Sequence, residues 1–134
     1  MTTISDFPST TDLERLERTL AQRPPDNEEV TETLILIGTA LREHAHELTQ
    51  AGGPLTRQEK IARPSLARRA EHLPKTILSL AEQSDDLCEQ LSRRADWDTM
   101  REKIEEFLSA LHRHRNEEAD VKLESIVTDI GAAD

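Results

Sequence analysis

Three side chains in this chain combine a residue type and a position that could do chemistry: His44, His114 and Glu118. His114 and Glu118 are four residues apart, so on a helix they share a face and can reach one ion. The imidazole would offer a borderline nitrogen and the carboxylate a hard oxygen. All three fall on apolar seams with spacings of three and four. One seam runs Ile104, Phe107, Leu111, His114, Glu118, Val121, and an earlier one runs Val30, Leu34, Ile37, Leu41, His44, Leu48. A histidine or a carboxylate therefore stands where the pattern asks for leucine. If the two stretches pack together, His44 joins the other two. Two histidines and a carboxylate suit iron with open positions, or zinc with a water as fourth ligand. The same residues admit a metal-free arrangement. Arg115 precedes Glu118 by three and can pair with it, and a partly buried His114 needs only a hydrogen-bond partner such as Glu117 or Glu118.

The remaining reactive residue types carry less. His46 lies roughly 200° around the helix from His44 and should face solvent, while His72 and His112 adjoin the seam positions Leu73 and Leu111 and belong at flanks. Cys88 is the only cysteine, which excludes an internal disulfide, and on a Leu-rich helix it reads as a small packed side chain. No Ser, Cys or Lys sits in a nucleophile motif, and there is no phosphate-binding glycine loop. The pairs Glu105-Glu106 and Glu117-Glu118 are adjacent, so they splay apart on a helix and read as solvated face. No enzymatic activity is expected.

The elements that must position these residues are helices. Aromatic residues make up only 2% of the 134 residues, Gly numbers 4, and Leu, Ala, Glu and Arg are abundant, which favours helix over sheet. The length suits one domain that can bury a core without disulfides. A polar leader of residues 1–10 precedes a single bundle domain over residues 11–134. A formal net charge of -10, from 27 acidic against 17 basic residues, disfavours nucleic acid. The longest apolar run, Leu34 to Ile37, is far too short to span a membrane, and the N-terminal residues lack the basic-then-apolar layout of a signal peptide. A cytoplasmic location is expected.

Along the chain, Thr11 and Glu14 form a candidate capping box for a short helix whose stripe is Leu13, Leu16 and Leu20; Pro24-Pro25 ends it. Asp26 or Asn27 caps the next helix, and Gly52-Gly53-Pro54 stops it. Within this second helix, Ile35 and Leu36 lie off the seam and predict cover on a further side, from the short helix. Thr56 and Glu59 could cap a turn of helix. The longest seam follows: Leu66, Ala70, Leu73, Ile77, Leu80, Ser84, Leu87, Leu91. Pro74 falls inside it and predicts a kink or a restart. Asp96 or Asp98 caps a final helix reaching about Ile130, roughly 50 Å long. Such elements bury their seams together only as an all-α, up-and-down four-helix bundle with a short N-terminal and a long C-terminal helix.

The stretch from Glu43-His44 through Asp96-Trp97-Asp98 to His114-x-x-x-Glu118, within residues 28–130, resembles the hemerythrin-like, or HHE cation-binding, domains. The resemblance implies a four-helix bundle with metal in its core. His44 would stand for the first-helix ligand, and His114 with Glu118 for the fourth-helix pair. The ligand set is incomplete against that pattern. Four residues after His44, His46, His72 and His112 come Leu48, Gln50, Thr76 and Asn116, so a second His-x-x-x-Glu pair is missing. His72 could turn inward only if Pro74 bends the backbone. The leading expectation is a hemerythrin-like binding or sensing module holding one iron or zinc ion through His44, His114 and Glu118. The alternative is a metal-free structural or protein-interaction bundle, a homodimer or the partner of another helical protein. Leu123, Ile126, Val127 and Ile130 on the overlong last helix would then need cover.

Overall fold

In the computed structural model, residues 10–22, 26–50, 55, 57–93 and 95–132 are described. They form α1 (Thr10–Ala21), α2 (Asn27–Gln50), α3 (Arg57–Ala62), α4 (Pro64–Ser92) and α5 (Trp97–Ala132), with no strand among them. The helix-stopping Pro24-Pro25 and Gly52-Gly53-Pro54, the leader up to residue 9, and Thr56 lie outside the described residues.

The helix starts follow capping chemistry. Asp26 caps α2, its Oδ1 accepting the Glu29 amide at 3.2 Å, and Asp96 caps α5, its Oδ2 accepting the Thr99 amide at 3.2 Å. Each carboxylate satisfies an amide the first turn would leave bare. The expected cap Thr11 is already within the first turn of α1, which starts at Thr10.

Four of the helices make an up-and-down bundle, and the six-residue α3 rides on α4. Cross-helix bonds fix the directions. Arg15 of α1 reaches Glu29 and Glu32 of α2. Cys88 of α4 lies on Thr31 of α2, and Arg42 pairs with Asp85. Between α4 and α5, Lys103 Nζ donates to Gln90 Oε1 at 2.7 Å while Arg69 meets Glu124 at 2.8 Å near the other end. The contacts at two levels make α2–α4 and α4–α5 antiparallel, and α1 lies against the first turns of α2. The closest backbone packing joins α2 to α4, then α4 to α5, then α1 to α2; α2 and α5 are parallel and face each other across the core.

The core is the union of the seams. Leu13, Leu16 and Leu20 of α1 close over Val30, Leu34, Ile37 and Leu41 of α2, with Leu73, Ile77 and Leu80 of α4 and Ile104, Phe107, Leu111 and Val121 of α5. Because α1 turns all three leucines onto the seam, it does not cover the flank of α2. Ile35 and Leu36 are accordingly half exposed, against the cover predicted for them. Two buried threonines, Thr19 and Thr33, satisfy their hydroxyls on the carbonyls of Arg15 and Glu29, one turn back. Between α2 and α4, Ser84 Oγ donates to the Leu34 carbonyl at 2.6 Å, and Gly38 leaves room for it. A Cβ on Gly38 would sit 3.3 Å from that oxygen.

α4 runs through Pro74 as one helix, so the proline does not restart it. Leu73 and Ile77 on either side are both buried, and that packing outweighs the one helical hydrogen bond proline cannot make. No described helix is long and apolar enough to cross a membrane.

Candidate polar core site

The seam on α2 and the seam on α5 carry His44 and Glu118 to the same place. His44 Nε2 lies 2.5 Å from Glu118 Oε1 across the core, and both residues are buried, 6% and 5% exposed. Glu118 feels opposing influences. Burial favours its neutral form, but the hydrogen bond from His44 and the charges around it, Lys122 among them, hold its pKa below the usual carboxylate value. An ionised carboxylate only accepts, so Nε2 of His44 is the donor. The second ring nitrogen, Nδ1, faces Glu47 Oε2 at 3.9 Å, and Glu118 Oε2 faces Lys122 Nζ at 4.0 Å. The pair is thus a buried, charge-assisted hydrogen bond with weaker charges at its edges.

His114, one turn before Glu118, is 4% exposed. Its Nε2 is buried and has no hydrogen-bond partner among the described residues. Burial pushes its pKa below the ordinary 6.5, His44 adds to that, and Glu118 and Glu117 oppose without prevailing. The ring is therefore neutral at pH 7, with one nitrogen uncommitted. An orphaned buried polar atom is uncommon and asks for an explanation.

The structure therefore buries all three sequence-predicted site residues and bonds two of them directly. It does not complete a site as placed. Among the described residues, no group of three or more His, Cys, Asp or Glu side chains is arranged to hold a metal ion. Glu118 is engaged by a proton of His44, which an ion would have to replace. His72 does not turn into the core: α4 is continuous, and His72 stays exposed, on the side of α4 that borders a cleft against α5. His46 is exposed as expected, and His112 lies at the surface 3.5 Å from Glu17 of α1.

Two features next to these residues were not foreseen from the sequence. Arg69 of α4 donates to Glu117 at 2.9 Å and Glu124 at 2.8 Å, a fork that ties α4 to α5 beside the core site. Its guanidinium is held in the charged form by those two hydrogen bonds. Beneath it a cleft of about 460 Å³ opens between α4 and α5, lined in part by Leu73, Thr76, Ser79, Leu80, Ala110 and His114. The signal was present in the small residues Thr76, Ser79 and Ala110 beside the seams, since short side chains cannot close a helix-helix gap. No family model, curated protein or solved structure matches the chain.

Proposed function

We propose that the chain is a helical binding or sensing module, resembling a hemerythrin-like domain with a reduced ligand set, whose core takes up one iron or zinc ion through His44, His114 and Glu118. What carries the proposal is the buried His114 Nε2, left without a partner beside an ionised carboxylate already held by a second imidazole. The donor types suit either metal, and neutral His114 needs no deprotonation to coordinate. Coordination needs both imidazoles neutral and the carboxylate ionised, so uptake weakens as pH falls. Elemental analysis of untagged protein should find up to one equivalent of iron or zinc, and His114→Ala should abolish it. Protein that holds neither metal after anaerobic reconstitution rules the proposal out.

A second function, interaction with a helical partner or a second copy, draws on a separate observation: Leu123 and Ile126 of α5 are 59% and 56% exposed. Sedimentation velocity decides it. A dimer that Leu123→Lys dissociates supports self-association, and a strict monomer at high concentration opposes it.

A further inference from the structure

The α4–α5 cleft has the makings of a ligand site beside the polar core, with which it shares His114. Its walls are apolar where they are deep, with Leu73, Leu80 and Ala110, and polar at the rim. A second cleft of about 340 Å³, reaching Leu87 and Phe107, continues it along the same helix pair, and Gln83, Ala110 and Arg113 line both. Arg113 therefore stands where the two meet.

The cations around the first cleft differ in how far they are committed. Arg69 is spent on Glu117 and Glu124. Arg113, exposed at the rim, makes no hydrogen bond or ion pair among the described residues. An uncommitted guanidinium over an apolar cleft, on a chain of net charge -10, marks the local place where an anionic group is welcome. Glu117, the carboxylate lining the first cleft, is paired with Arg69. In the second cleft Glu106 makes no ion pair among the described residues and offsets the charge of Lys103 beside it, so an acidic ligand is better received in the first.

We infer that the first cleft binds a small amphipathic carboxylate, its head on Arg113 and its apolar body against Leu80, Leu73 and the ring of His114. The volume lies within the usual range for small-molecule sites, roughly 300–1,000 Å³. The inference does not require metal in the core: His114 lines the cleft with its ring, and Arg113 and the leucines are no part of the proposed metal site.

Octanoate is the probe, with octylamine as a control of matched tail and opposite charge, both followed by calorimetry and by chemical shifts of the His114 ring. Saturable one-to-one binding of octanoate, shifts at His114, and no comparable binding of octylamine are expected. Arg113→Gln should weaken octanoate roughly tenfold, the loss of one charge-assisted contact. Ser79→Trp, placed at the exposed rim so that the fold is kept, should block binding by filling the cleft. Equal binding of octylamine, equal binding to Arg113→Gln, or no saturable binding of octanoate to the folded protein overturns the inference.

Discussion

Replacing His114 with leucine tests the physical heart of the core site. The position is 4% exposed, on a seam of aliphatic residues, and its Nε2 makes no hydrogen bond among the described residues. Leaving a buried polar atom unsatisfied costs about 1–3 kcal/mol, and leucine has nearly the volume of histidine, so little repacking is needed. Metal-free His114→Leu should therefore gain about 1–3 kcal/mol, which for a chain of this size is roughly 3–10 °C in Tm. The gain should also depend on pH. A histidine whose folded pKa is depressed lets the unfolded chain bind the proton first, so the wild type loses stability as pH falls through the ordinary 6.5 towards the folded value. The variant lacks that loss, and its advantage should widen between about pH 7 and pH 5. Urea unfolding followed by circular dichroism, in the presence of a chelator, measures both effects. A less stable variant, or an advantage that narrows on acidification, would refute the account of His114 as a neutral, unpartnered ring. The same substitution should eliminate metal uptake, a cost in function for a gain in stability.

Other perturbations follow from the same contacts. Glu118→Leu removes the acceptor from buried His44 and should destabilise by about 3–5 kcal/mol in chemical unfolding, as breaking one side of a buried pair does; an effect under about 1 kcal/mol contradicts the bond. Because Glu118 titrates below the usual 4.5, its contribution is present above that value and lost as pH falls through the folded pKa, so Glu118→Gln should flatten the acid limb of the stability curve. Gly38→Ala should be unfavourable while Ser84 Oγ, tied to the Leu34 carbonyl, occupies the space 3.3 Å away, and should turn favourable in a Ser84→Ala background. A double-mutant cycle reads that coupling, and strict additivity would count against close approach of α2 and α4. Pro74→Ala should stabilise α4 by up to about 3 kcal/mol by restoring a helical amide, checked by thermal unfolding.

How much of this was legible in one dimension depends on the range of the physics involved. Spacings of three and four follow from helical geometry, so the helices, the buried leucines of α1, and the burial of His44, His114 and Glu118 were readable. The caps Asp26 and Asp96 were readable too, because a capping bond spans three residues. Ile35 and Leu36 were misjudged because their cover depends on which way α1 rolls, and a restart at Pro74 because packing across α4 competes with a local hydrogen bond. Only the tertiary structure decided that Glu118 bonds His44 across the core while His114 Nε2 goes without, that Arg69 is spent on two glutamates, and that a cleft opens beside Ala110. Those outcomes turn on distances of a few ångströms between helices far apart in sequence. A seam pattern tells which side chains turn inward, but not which of them touch.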